Sequence, residues 1–195
     1  ENAPAGGINR PELKSAGHDY DAAGTDLIDQ LTVDHGELVL PGGMRYKLLV
    51  LPDEQTMTPK LVAKLRSLVQ AGASLLGNKP LRSPGLHQSG FGDHADALWG
   101  KPPAEAGAIR KVGKGAVLSG VSVEKAVELL GIRPQVVAPS RIHWIQRITP
   151  GKSIYFLSNQ SSQPFEGEIT FPGGGSVVSL LDPMTGESSP APVLR

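Results

Sequence analysis

The chain of 195 residues contains no cysteine. That absence excludes a disulfide, a thiolate nucleophile and cysteine-ligated zinc, and it suits cytoplasm and periplasm equally well. Aromatic residues are scarce at 5%, which is low for a sugar-binding cleft. Neither sign of charge dominates, with 19 basic and 19 acidic side chains. No stretch is strongly basic, so nucleic acid and anionic membrane are not expected as main partners. No apolar run is long enough to cross a bilayer. No apolar segment of a signal peptide follows Glu1, and Glu1 to Gly7 reads as a mid-chain linker. The expectation is therefore a piece of a longer polypeptide.

What is plentiful is Gly (24) and Pro (17), which predict many turns and short elements. The clearest unit runs from about Tyr46 to Gly77. Lys47 to Pro52 is a short continuous apolar run, as in a strand buried on both faces of a parallel sheet. Thr58-Pro59 supplies an N-cap and a proline at the first helical position. Leu61, Val62, Leu65, Leu68 and Val69 then share one helical face, with Lys60, Lys64 and Ser67 on the other. Gly72 closes the helix, and Ala73 to Gly77 is the next buried strand. This is a β-α-β unit.

The flanks extend it. A helix is predicted over Thr25 to Leu31, a hairpin or strand-and-turn over Gly36 to Gly43, and a strand over Ala116 to Ser119. Ser122 caps a helix from Val123 to Leu130, closed by Gly131 and Pro134. The Gly-, Pro- and Ser-rich stretch from Pro80 to Gly115 has one short helix at His94 to Trp99. After Pro134 the pattern changes to β-rich runs at Ile142–Ile148, Ser153–Asn159, Glu166–Phe171 and Ser176–Leu181, separated by turn clusters. No internal repeat is apparent. The fold class is α/β: a parallel sheet flanked by helices over residues 1–135, then a short antiparallel β region over 136–195, the start of a β-sandwich or meander.

The strand–helix–strand layout is similar to that of class I glutamine amidotransferases and to flavodoxin-like sheets. In the amidotransferases the second strand ends in a Gly-x-Cys-x-Gly elbow. Here that place reads Gly77-Asn78-Lys79-Pro80, with neither Cys nor Ser, so a nucleophile–base–acid triad has no starting point. Gly151-Lys152-Ser153 lacks the first glycine of a phosphate-binding loop, because Gln146 stands there. Gly113-Lys114-Gly115 lacks its spacing, and Pro172 to Ser176 lies between strands as a turn. Of the five histidines only His94 sits in a local group of ligand types, Asp93-His94-Ala95-Asp96. Those side chains diverge on a helix, so a solvated helix start is the better reading and no metal site is expected.

Carboxylates matter most, because glycoside hydrolysis commonly uses two of them flanking one bond. Asp53 and Glu54 follow the C-terminal end of the apolar strand, where open α/β sheets bind ligands. Asp19, Tyr20 and Asp21 form a second acidic loop. All five are candidates for substrate binding; the plainer reading is polar loops leading into helices. Trp99, Trp144 and Tyr155 are the candidate sugar platforms, although tryptophans at these places are more often core residues.

Several segments now occur together in order. They are Arg10-Pro11-Glu12-Leu13, Asp19-Tyr20-Asp21, Gly36 to Pro41, Met44 to Pro52, Met57-Thr58-Pro59, Gly77 to Pro84, Ile154 to Asn159 and Leu181 to Glu187. This succession resembles the region that follows the catalytic barrel in bacterial α-L-rhamnosidases of glycoside hydrolase family 106, and it spans nearly the whole chain. The resemblance implies a multidomain secreted or periplasmic enzyme that removes α-linked rhamnose from plant polysaccharides by inversion, with calcium assistance. It implies catalytic glutamates on a barrel upstream of Glu1, so no catalytic residue is carried to a position here and no cofactor is expected in this stretch. The implied partners are that barrel and neighbouring β-domains of the same polypeptide. The function expected is a non-catalytic accessory role. An independent carbohydrate-binding module is the alternative, and a small stand-alone enzyme using Asp53 or Glu54 ranks third.

Overall fold

A computed structural model describes residues 16–85, 90–101, 105, 107–172 and 177–193. The chain divides into two units, one ending at Arg133 and the other beginning at Pro134.

The first unit opens with helix α1 (Thr25–Gln30) and a three-stranded antiparallel sheet of β1 (Thr32–Asp34), β2 (Glu37–Val39) and β3 (Arg45–Tyr46). His35 (φ 50°) and Gly36 (φ 82°) both occupy the left-handed region, the geometry a two-residue hairpin of matching twist requires. Strand β4 (Leu49–Val50) leads into α2 (Pro59–Ala71) and β5 (Ser74–Leu76), and β4 and β5 pair in parallel. The predicted β-α-β unit is present, with a strand shorter than the apolar run suggested.

Helix α2 forms for the reasons its sequence gives. The Thr58 side chain accepts a hydrogen bond from the Leu61 amide at 3.3 Å, and Pro59 pre-sets the first turn. Val62, Leu65, Leu68 and Val69 are buried along one face, each worth about 1.5–3 kcal/mol. Gly72 (φ 133°) ends the helix in a conformation that a side chain would strain.

Helix α3 (Phe91–Trp99), the hairpin β6 (Arg110–Val112) and β7 (Gly115–Leu118), and α4 (Val123–Leu129) complete the unit. The main sheet has the order β4-β5-β7-β6. Strand β7 is parallel to β5 and antiparallel to β6, so the sheet is mixed where a wholly parallel one was predicted. Strand β6 escapes the sequence pattern because Arg110 and Lys111 give it the charge of a sheet edge. Helix α3 starts three residues earlier than His94, after Gly90 turns the chain at φ 74°.

Alternation along the strands divides the core in two. Leu75 and Val117 join the cluster formed by α2 and α3, while Leu76 and Leu118 join Val123 and Ala126 of α4. With both faces covered, neither can be polar, and this is why the strands read as continuous apolar runs.

The second unit carries a long hairpin, β8 (Ile142–Thr149) with β9 (Lys152–Asn159), and a small one, β10 (Ser179–Leu181) with β11 (Ser188–Pro190). The run Glu166–Phe171 forms no strand; Thr170 makes one isolated bridge to Val137. The last predicted strand shortens to β10, and its first residue, Ser176, lies outside the described residues. Strand β11 is Ser-Ser-Pro and carries no apolar pattern to announce it.

Gly115 lies so close under the end of α2 that a Cβ there would overlap the carbonyl oxygens of Val69 and Ala73. Gly115→Ala is expected to destabilise the protein by about 3 kcal/mol in urea unfolding, at the upper end of ordinary overpacking. Gly42→Ala, with nothing within 4 Å of the new methyl group, should shift stability by less than about 1 kcal/mol.

Candidate functional site

The carboxyl ends of β4, β5 and β7 lie side by side, the position at which parallel sheets open towards ligands. Asp53 lies just past β4 and accepts a hydrogen bond from the Asn78 side-chain amide at 2.9 Å. The Asn78 side-chain oxygen accepts from the Gly120 amide at 3.1 Å, just past β7. These contacts tie the three strand ends together. Glu54 is exposed beside Asp53, its amide bonded to the Pro52 carbonyl at 2.9 Å.

The place of a nucleophile elbow is held by Gly77 and Asn78. The Gly77 carbonyl accepts from Trp99 Nε1 at 2.7 Å and from the Ser119 hydroxyl at 2.8 Å. Two donors satisfy both lone pairs of that oxygen. Behind it, Lys79 Nζ contacts Asp96 at 2.5 Å and the Gly100 carbonyl at 3.0 Å. The Lys79 ammonium, bonded directly, and the more distant Lys101 hold the Asp96 carboxyl below its usual range. Trp99 is only 1% exposed and Trp144 4%, so neither ring offers a flat platform to a sugar. Tyr155 is half-buried, its ring 4.5 Å from that of Phe171 and its hydroxyl accepting from Gln146 at 2.8 Å.

The Asp19-Tyr20-Asp21 loop serves a different part of the unit. The Tyr46 hydroxyl, at the end of β3, donates to Asp21 at 2.8 Å. Burial first, then the Asp21 hydrogen bond and the charges of Asp21 and Asp19, push the Tyr46 phenol up to about 12. Asp19 accepts from the Tyr20 amide at 2.8 Å, and Tyr20 packs against the cluster around Leu76 and Leu118. The two predicted acidic groups thus lie on either side of β4, Asp21 bound to Tyr46 before it and Asp53 bound to Asn78 after it. No bond joins them.

The Asp93-His94-Ala95-Asp96 group is likewise dispersed. His94 Nδ1 faces Arg66 Nη1 at 3.0 Å, and since a guanidinium only donates, that nitrogen is the acceptor. Asp96 goes to Lys79, and Asp93 is exposed. Among the described residues no three His, Asp or Glu side chains converge as metal ligands. A hollow of about 260 Å³ lies near the start of β5, lined by residues that include His35, Glu37, Lys47 and Ser74. None of the five predicted binding residues lines it.

Asn78 and Lys79 carry most of the polar organisation at the strand ends. The sequence signalled them only by what they replace, a missing nucleophile.

With this geometry in hand, the relatives are informative. The family model described as alpha-L-rhamnosidase, glycoside hydrolase family 106, matches residues 3–193. The chain belongs to that family. It is 30% identical over 176 residues to a Formosa agariphila protein named "Putative beta-glucuronidase", covering 88% of this chain and 14% of that protein. It is also similar to the solved structure of a rhamnosidase from Novosphingobium sp. PP1Y, with a TM-score of 0.73 and 30% identity. That match covers 84% of this chain and 16% of the rhamnosidase chain. The chain therefore corresponds to about one-sixth or less of the length of these relatives.

The Tyr46–Asp21 pair gives a direct test. A phenol raised above 10 contributes stability that is present below pH 10 and lost as the pH rises through about 12. Ultraviolet titration should find one tyrosine ionising near pH 12. Asp21→Asn should bring it down while leaving it above 10, since burial is the larger cause. Tyr46→Phe should remove that step in alkaline stability.

Proposed function

We propose that this chain is a non-catalytic accessory part of a larger glycoside hydrolase resembling α-L-rhamnosidase, supporting a catalytic barrel that lies outside it. One observation carries this reading. Asp21 and Asp53, one acid from each candidate group, serve Tyr46 and Asn78 respectively, whereas glycoside hydrolysis normally needs two carboxyl groups facing one bond.

The closed strand ends support it as well. The Gly77 carbonyl is fully engaged and Lys79 is neutralised by Asp96, so the edge that would hold a nucleophile acts as a brace. The double-covered sheet favours an amidotransferase- or flavodoxin-like scaffold put to structural use. Asp53 and Glu54, exposed at the strand ends, are the residues assigned to any glycan contact at the barrel rim; Asp19, Tyr20 and Asp21 are assigned to holding their own loop. Calcium, where the enzyme uses it, would be held by residues outside this chain.

The rhamnosidase description of the family and the rhamnosidase structure favour α-L-rhamnosides as substrate over the β-glucuronides that the Formosa protein's name suggests. Plant polysaccharide and a secreted or periplasmic site belong to the same proposal. Burial of Trp99 and Trp144 weighs against an independent carbohydrate-binding module.

An aryl α-L-rhamnoside assay tests the assignment. This chain alone should release no product, and a longer polypeptide extended through the barrel should be active. In the longer form, Asp53→Asn with Glu54→Gln should lower kcat by less than about tenfold. Loss of a general acid or base costs roughly 10²–10⁴-fold, and a fall of that size, or activity in this chain alone, would overturn the proposal.

A further inference from the structure

One face of the β8–β9 hairpin is buried at Ile142 and Trp144 but exposed at Ile148 and Leu157, and the other is exposed at each of its apolar residues. Direct cross-strand pairing places Trp144 opposite Leu157 and Gln146 opposite Tyr155 on the first face. There Ile142 and Trp144 are buried, and Tyr155 packs on Phe171. The opposite face pairs Ile145 with Phe156 and Arg147 with Ile154. Ile145 is 60% exposed, Phe156 51% and Ile154 41%.

An antiparallel sheet with one solvated face normally turns polar residues towards water. Here three large apolar side chains adjoin one another, and an exposed contiguous patch marks a contact surface. Its charged positions are all of one kind. Arg147 and Lys152 lie on it, with His143 at one end, and its eight positions include no acid. A two-stranded ribbon is also marginal alone, and it gains most from another sheet on its open side.

We propose that this face of β8–β9 docks against the apolar face of another antiparallel sheet, edged by carboxylates, supplied by the same polypeptide outside this chain. The inference rests on the reading of the chain as part of a larger enzyme, because the relatives' extra length provides the candidate partner. The apolar centre would exclude water, and the carboxylates would meet Arg147 and Lys152 at its rim. A second copy of this chain is a poorer fit, since two such faces would bring like charges together.

Hydroxyl-radical footprinting of Phe156 and Ile145 tests it, in this chain and in the longer polypeptide. Phe156 should label freely in this chain at every protein concentration, and at least fivefold more slowly in the longer polypeptide. Arg147→Glu should restore at least half of the lost labelling there. Equal labelling in both forms would overturn the inference. So would protection in this chain alone, whether it appears with rising concentration, as from a second copy, or on adding rhamnose-containing oligosaccharides. Rhamnoside hydrolysis by the longer polypeptide, measured alongside, separates the two proposals. Protection without activity would leave the docking face standing and reject the enzymatic reading; activity without protection would do the reverse.

Discussion

The first unit is organised around one carbonyl. The Gly77 oxygen accepts from Trp99 of α3 and from Ser119 beyond β7, while the Gly77 amide donates to the Leu118 carbonyl at 3.0 Å. A Cβ at Gly77 would come within 2.8 Å of the Leu51 side chain, just past β4. Three strand ends and a helix therefore meet at a residue that must be glycine. A buried carbonyl left unpaired costs about 1–3 kcal/mol, so the indole and the hydroxyl are as necessary as the glycine. The same arrangement explains why Trp99, 22 residues from Gly77 in the sequence, is buried to 1% exposure.

That constraint also bears on chemistry. A strand end that carries a reacting group must leave it open to a ligand, whereas this one spends its donors and acceptors on its neighbours. Asp53 and Asn78 continue the pattern, bridging towards Gly120 across the sheet edge.

The sequence was most legible where one residue type decides the outcome. Thr58, Pro59 and Gly72 mark the ends of α2 through capping, a fixed φ and a positive φ, and the apolar face between them is read from spacing alone. The runs at Leu49 and Leu75 reveal burial on both faces of their strands. Strand β6 was hidden because its pairing depends on β7 and its residues are charged. Strand β11 was hidden because Ser188 and Ser189 have no preference of their own. The acids were visible as acids, but their partners were not. Tyr46 is 25 residues from Asp21, and Asn78 is 25 residues from Asp53, separations that only the tertiary fold closes.

The hairpin of β1 and β2 touches the end of α2 closely. A Cβ at Gly72 would lie 3.5 Å from the Gly36 Cα and 3.6 Å from Val33. The neighbouring turn at Gly42 and Gly43 has nothing within 4 Å of either residue. Two turns within ten residues thus have unequal freedom to change length. Insertions among homologous chains should accumulate at Pro41–Gly43 and be excluded at His35–Gly36, and the open turn is the natural place to introduce an epitope or a spectroscopic label.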